Sequence, residues 1–337
     1  MNRPFRIVAA FLAGSAIALP ASQSLTGSRQ ETVWEQQMLA GRRAVEGGKY
    51  TEAESFYAAA VASCERSGGG DARLGLSLGQ LGIAKLALGR HDQATRLIRR
   101  GIAVLEGRPE LDRGTLALLW QGLGSALYRR ALYTQAEHAY GAALDLRNKS
   151  EPTDQRVIAS LLSDLGSVYQ KEGRYAEARS SLERARSMLG QKSDDDQLLS
   201  LSLLNNLGAL CRSQGLHAQA ERLFQEAVNG LTRIHDRDGL LSTTVLNNLA
   251  LEYLGRHQYG NAAAALASAV AIIEKGTALP RADVVQIFKH YRQCLQKSEN
   301  NKEVRRFDSR AKVILADLPR PQSDGLVIDV SQFRSRR

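Results

Sequence analysis

The side chains in this sequence that could carry chemistry are three cysteines, six histidines and a set of adjacent asparagines. The cysteines are Cys64, Cys211 and Cys294, and no Cys/His group has the spacing of a zinc site. The sequence also lacks a phosphate-binding glycine loop and a G-x-S-x-G nucleophile motif. We therefore predict no catalytic residue, no metal site and no cofactor, and we expect a protein that is not an enzyme.

Two asparagine pairs stand in similar surroundings, LLNNLGALC at Asn205 and Asn206 and VLNNLALEY at Asn247 and Asn248. Asparagine is a poor helix former, so a pair that recurs inside an apolar helical pattern requires a cause. One hypothesis is that these amides hydrogen-bond the backbone of an extended peptide. The alternative is that one asparagine of each pair bonds to a neighbouring helix and fixes its packing. The sequence leaves both hypotheses open.

An internal repeat organises the segments that would position these side chains. Six segments align without gaps around one central alanine each, and a degraded seventh copy is centred on Val304. Successive alanines are 41 or 42 residues apart, which is typical of a repeat architecture. The alanines are Ala53, Ala94, Ala136, Ala178, Ala220 and Ala262.

Each repeat has the pattern of a helical hairpin. A small residue precedes the central alanine by twelve positions, as in Gly124, Gly166 and Ala250. Because glycine inside a helix costs about 1 kcal/mol relative to alanine, this recurrence predicts that two helices approach closely there. Glycines between the two helical stretches predict the turns: Gly48, Gly89, Gly173 and Gly215. Thr51 with Glu54, and Thr134 with Glu137, have the spacing of capping boxes at helix starts.

The repeats carry a family signature, which is clearest in the third unit: Trp120, Leu123, Gly124, Tyr133, Ala136, Tyr140 and Ala143. This pattern resembles the tetratricopeptide repeat, and the 42-residue length is similar to that of the kinesin-light-chain class. The resemblance implies an all-α fold, a right-handed superhelical solenoid of about seven helical hairpins over residues 28–318. It also implies that the first helix of each hairpin lines a concave groove, which holds a protein or an extended peptide.

Carried over to this chain, the resemblance implies a set of groove residues on the first helices. Four of these residues are basic, so either an acidic peptide binds them or they form a solvated face. The predicted groove residues are Arg42, Gln121, Ser125, Arg129, Asp164, Gln170, Lys171, Asn205, Asn206, Arg212, Asn247 and Asn248.

The charge of the chain is concentrated at its two ends. The net charge is +10, but residues 28–280 contribute only +2, whereas residues 281–337 contribute +6. A nucleic-acid surface requires basic residues spread along the binding face. We therefore expect no nucleic-acid partner.

The first 24 residues have the pattern of an export signal. Arg3 and Arg6 precede an uncharged, largely apolar run over residues 7–19, and small residues follow it. This pattern predicts a periplasmic or secreted protein. The alternative is an uncleaved anchor formed by residues 7–19, and only then would the protein contact a membrane. At the other end, residues 319–337 form a basic tail with a short strand-like run at 326–330.

The sequence favours a non-catalytic binding scaffold outside the cytoplasm. Two alternatives are a membrane-anchored, peptide-sensing regulator and an accessory subunit that positions a catalytic partner.

Overall fold

The computed structural model describes residues 33–66, 72–106, 113–149, 154–189, 193–234, 239–276, 279 and 281–318. The predicted signal segment at 1–24 and the tail at 319–337 lie outside these residues. Within the described ranges the chain forms fourteen α-helices and no strand. They are α1 (Val33–Glu46), α2 (Tyr50–Arg66), α3 (Ala72–Ala87), α4 (His91–Leu105), α5 (Arg113–Arg129), α6 (Tyr133–Asn148), α7 (Gln155–Lys171), α8 (Tyr175–Ser187), α9 (Asp194–Ser213), α10 (His217–Arg233), α11 (Leu240–Gly255), α12 (Tyr259–Glu274), α13 (Arg281–Lys297) and α14 (Asn301–Asp317).

The helices form seven consecutive hairpins, each an odd-numbered first helix followed by an even-numbered second helix. One residue in every hairpin turn has a positive φ, and these residues recur with the period of the sequence repeat. The predicted all-α solenoid of seven hairpins is therefore confirmed. The left-handed turn residues are Gly48, Gly89, Ala131, Gly173, Gly215, His257 and Glu299.

Close packing between the two helices of a hairpin explains the recurring small residues. A Cβ atom on Gly124 would lie 2.8 Å from the ring of Tyr140, and one on Gly208 would lie 2.8 Å from the ring of Phe224. In both cases the large side chain is almost fully buried on the facing second helix. The predicted close approach of the two helices is confirmed, because any side chain at these positions would push them apart.

The hairpins stack so that the first helices form the inner layer of a curved array. From α3 to α13, each first helix contacts the next first helix, whereas the consecutive second helices of the described chain are spaced more widely. An array whose first helices are closer together than its second helices must curve with the first helices inside. The first helices therefore line the concave face.

The buried centre of each hairpin is apolar, and three of the hairpins bury one cysteine each. Cys64, Cys211 and Cys294 are all buried, and burial raises the pKa of the Cys294 thiol to about 11. The thiol of Cys294 therefore stays protonated at neutral pH, which suits a core side chain. No helix among the described residues is both long enough and apolar enough to span a bilayer.

The predicted capping boxes are wrong. Helix α6 begins at Tyr133, with Leu132 at its N-cap and no side-chain cap bond. The Thr134 hydroxyl instead donates to the Glu172 carboxylate in the turn of the next hairpin. Helix α2 begins at Tyr50, so Thr51 lies inside the helix and not at its N-cap. The Glu54 carboxylate accepts a hydrogen bond from Lys85 in the next hairpin. The carboxylates of Glu54 and Glu172 thus form hydrogen bonds between neighbouring hairpins and not within a helix N-terminus.

Candidate functional site

A row of hydrogen-bonded side chains connects the first helices of consecutive hairpins on the concave side. Between the third and fourth hairpins, Gln121 Nε2 donates to Asp164 Oδ2 at 3.2 Å. Between the fourth and fifth hairpins, Asn206 Nδ2 donates to Ser163 Oγ at 2.8 Å. These two bonds join α5 to α7 and α7 to α9.

The same row continues through the two asparagine pairs to the last hairpin. Asn248 Nδ2 donates to Asn205 Oδ1 at 2.8 Å, which joins α9 to α11. Asn247 Oδ1 lies 2.9 Å from His290 Nδ1, which joins α11 to α13. Burial lowers the pKa of His290, so its ring is neutral at pH 7.

All four bonds share one register. The two residues of each bond are 43 positions apart, which is one position more than the 42-residue repeat. The first residue of one pair of adjacent polar residues therefore bonds to the second residue of the pair in the next hairpin, as Asn205 bonds to Asn248. We call these eight side chains the polar ladder. Both asparagines of each pair bond to neighbouring helices, one toward the preceding hairpin and the other toward the following one. The alternative hypothesis was that an asparagine bonds to a neighbouring helix and fixes its packing, and all four asparagines form such bonds.

Two further predicted groove residues also form structural bonds. Ser125 is completely buried and shares a hydrogen bond of 3.1 Å with the Tyr140 hydroxyl on α6. Gln170 Nε2 donates to the Ala209 carbonyl at 2.9 Å and to Ser213 Oγ at 2.8 Å, both on α9. Ser125 therefore holds the third hairpin together, and Gln170 joins the fourth hairpin to the fifth.

Arg212 supports the polar ladder from the side. Its guanidinium donates to the Asn248 carbonyl at 3.2 Å and lies 5.5 Å from the centroid of the Phe224 ring. Burial lowers the pKa of Arg212, and the negative charge of Glu252 opposes that shift. Arg212 is consequently a half-buried cation that stabilises the ladder next to the groove.

The predicted residues differ in how far solvent reaches them. Lys171 is exposed, and eight residues in all expose part of their side chains. These accessible residues are Arg42, Arg129, Asp164, Gln170, Lys171, Asn206, Arg212 and Asn247, whereas Gln121, Ser125, Asn205 and Asn248 are buried. Solvent therefore reaches the first group and not the second.

Arg129 and Asp283, on first helices of the third and seventh hairpins, each affect the ionisation of the other. Burial lowers the pKa of Arg129 on α5, and Asp283 on α13 opposes that shift. Burial raises the pKa of Asp283, which Arg129 in turn opposes. Four hairpin layers of about 10 Å each would separate these residues in a straight rod, too far for such an effect. This mutual effect agrees with the curvature that the helix packing gives the array.

Asp164 has the most unusual ionisation in the polar ladder. Burial raises its pKa to about 7, and the hydrogen bond from Gln121 lowers it only in part. Among the described residues Asp164 has no salt bridge. Its charged form is thus poorly compensated, and perturbed carboxyl groups of this kind often mark functional sites.

Sequence reasoning missed four residues that the structure places near this face. Ser163 and His290 belong to the ladder, and the ionisation of Asp283 is affected by Arg129. Glu252 is almost fully buried and lies 2.7 Å from His217 Nδ1. The spacing of 43 residues from Asn206 and Asn247 could have identified Ser163 and His290.

The outer face carries a cavity of its own, of about 340 Å³, between α4 and α6. Leu123 and Leu127 line this cavity beside Trp120, whose ring centroid lies 5.9 Å from that of His138 in an edge-to-face arrangement.

In the part of the chain that the structure describes, no group of His, Cys, Asp or Glu side chains could hold a metal ion.

Comparisons with known proteins agree with this architecture. The tetratricopeptide repeat profile matches residues 45–107, 114–192 and 199–275, roughly two thirds of the chain. No curated protein matches the sequence.

Among solved structures, NprR in complex with its cognate peptide NprX matches with a TM-score of 0.61 at 13% identity, over 86% of this chain and 81% of that one. The apo quorum sensor NprR from B. thuringiensis matches with a TM-score of 0.58 at 12% identity, over 84% and 87%. A P. anserina putative kinesin light chain with TPR-like repeats matches with a TM-score of 0.51 at 16% identity, over 61% and 99%. At these identities the similarity concerns the fold alone.

Proposed function

Because this chain belongs to the tetratricopeptide repeat family, we propose that it is a non-catalytic scaffold that binds a protein or an extended peptide in its concave groove. The observation that carries this proposal is the continuous inner layer of first helices, whose accessible side chains include the polar and charged groups of Asp164, Asn206 and Asn247. Half-buried amides and charges along one curved face can hydrogen-bond a peptide backbone. NprR, which has a similar fold, has been solved with its cognate peptide.

The proposal includes the cellular location predicted from the sequence, which is export to the periplasm or the exterior. Its support is the basic, apolar and small-residue pattern of residues 1–24. Cell fractionation with N-terminal sequencing of the mature protein tests it. A new N-terminus near residue 24 in the soluble periplasmic or secreted fraction is expected. An intact Met1 in the membrane fraction would favour the anchored, peptide-sensing regulator instead.

Groove binding can be tested by obstructing the concave face and, separately, the outer face. Ala209 on α9 is half-buried on the concave side, where its carbonyl accepts from Gln170 and Ser213. Ser180 is exposed on the second helix α8. Ala209→Trp and Ser180→Trp therefore add the same indole to opposite faces.

The probe is a pool of random, N-acetylated decapeptides with a C-terminal fluorophore, and binding is measured by fluorescence anisotropy. Ala209→Trp is expected to weaken binding by about tenfold or more, since a bulky side chain excludes the peptide. Ser180→Trp should bind like the wild type. Equal binding by both variants, with unchanged circular dichroism, contradicts a groove site.

A further inference from the structure

One position of the polar ladder carries a carboxylate where the other hairpins carry neutral groups. Asp164 occupies the same register position on α7 that Asn206 occupies on α9, Asn248 on α11 and His290 on α13. Each of these four side chains bonds to the preceding first helix. The ladder bond alone therefore does not require a negative charge at this position.

The negative charge is also left without a counterion. Asp164 Oδ2 accepts from the neutral amide of Gln121, and no salt bridge to Asp164 exists in the described ranges. An asparagine would accept the same bond without the desolvation cost that burial imposes on a carboxylate. Helix packing therefore does not explain why this residue is a carboxylate, and we expect its counterion to come from a bound ligand.

The charged groups around Asp164 do not supply that partner. Tyr128 and Tyr140 lie near enough for the carboxylate to raise their pKa values, which burial already raises. Both phenols therefore stay neutral at pH 7. Arg129, the next residue on α5, affects the pKa of Asp283 and not that of Asp164.

Asp164 lies on a first helix, in the inner layer that lines the groove, and the residue is not fully buried, so a ligand in the groove can approach it. A positively charged group there would form a charge-assisted hydrogen bond in surroundings drier than bulk water. Lysine, arginine and a peptide α-ammonium group share this chemistry.

We propose that Asp164 is the specificity-determining residue of the groove and binds a cationic group of the peptide held there. This inference rests on the proposed peptide-binding function and adds to it the charge of one ligand group and the hairpin that recognises it. Asp283, a carboxylate on the first helix of the last hairpin, is not expected to contribute, since the positive charge of Arg129 already compensates part of its charge.

The test uses two pools of N-acetylated random nonapeptides with a C-terminal fluorophore. One pool has lysine at the central position, the other has Nε-acetyl-lysine there, and all other positions exclude Lys, Arg and His. Wild-type protein at about pH 8 is expected to bind the lysine pool about tenfold to a hundredfold more tightly, as for a hydrogen-bonded charge pair. Asp164→Asn should keep the ladder bond, bind both pools and lose the preference for lysine.

Asp283→Asn is the matched control and should retain the preference for the lysine pool. Equal binding of the two pools by wild-type protein overturns the inference while leaving groove binding intact. Loss of the lysine preference in Asp283→Asn but not in Asp164→Asn also overturns it. Binding of neither pool contradicts the proposed function as well as the inference.

A third substitution separates specificity from packing. Asn206→Asp moves a carboxylate one hairpin along the ladder, where the Ser163 hydroxyl, which accepts from Asn206 in the wild type, would donate to it instead. Combined with Asp164→Asn, it should restore a preference for the lysine pool, because the groove again offers one uncompensated carboxylate. A combined variant that folds, as judged by circular dichroism, and shows no preference counts against charge recognition in the groove.

Discussion

Asn248 Nδ2 donates to Asn205 Oδ1 at 2.8 Å, and both side chains are almost fully buried between α9 and α11. Each asparagine is thus the other's partner in a place that water does not reach. An unsatisfied polar group there costs about 1–3 kcal/mol, so the bond between these two amides stabilises the packing of the two hairpins.

The first prediction concerns this pair. Asn205→Ala and Asn248→Ala should each lower the free energy of unfolding by about 1–3 kcal/mol, since each leaves a buried amide unpaired. The double variant should be less destabilised than the sum, with a coupling of about 1 kcal/mol. Urea denaturation of all four proteins measures the cycle. Strict additivity would show that the two amides do not interact.

The second prediction is a pH dependence caused by Asp164. Its folded pKa of about 7 lies above the ordinary value of 3.8, so the folded protein binds this proton more tightly than the unfolded chain. The penalty is absent below about pH 4 and grows as the pH rises toward 7. Asp164→Asn removes it, so the variant should be more stable than wild type by a few kcal/mol at about pH 8 and nearly equal at about pH 4. Thermal unfolding across this range checks the result, and a pH-independent difference would show that Asp164 ionises normally.

The third prediction compares two glycines. Gly124→Ala should destabilise the protein by about 1–3 kcal/mol, because the new Cβ would lie 2.8 Å from the Tyr140 ring. Gly141 lies inside α6 with open space around it, so Gly141→Ala should stabilise by up to about 1 kcal/mol through helix propensity. Chemical denaturation of the pair is the measurement. Similar effects of both changes would mean that the helices do not approach closely at Gly124.

A fourth prediction concerns the hairpin turns. Ala131 has a φ of 57°, in the left-handed region where glycine stands in four of the seven turns. Ala131→Gly should therefore stabilise the protein by about 1 kcal/mol, and Gly173→Ala should destabilise it by a similar amount. Differential scanning calorimetry can resolve both. A lower melting temperature for Ala131→Gly would show that this turn is not strained.

The sequence allowed the fold to be predicted because its main determinants are periodic and local. A small residue before each central alanine and a glycine at most turns define a hairpin without any reference to distant residues. The structure adds that Ala131, His257 and Glu299 adopt the same turn conformation without glycine. Those turns were detectable only from their place in the period.

The candidate site was less predictable, because a polar side chain on a first helix can face either a ligand or the next hairpin. Asn205 and Asn248 are buried between hairpins, whereas Asn206 and Asn247 bond to neighbours and stay partly accessible. Neither the offset between neighbouring helices along their axes nor the curvature of the array could be predicted from the repeat pattern. Both depend on how whole hairpins pack.

The central claim, that a peptide occupies the concave groove, is tested most directly by hydrogen–deuterium exchange with a peptide selected from the random decapeptide pool. Added protection is expected in the first helices, most strongly in α7, α9 and α11, where half-buried polar side chains line the inner layer. The second helices should exchange as in the free protein. Protection centred instead on α4 and α6, around the outer cavity beside Trp120, would contradict the account.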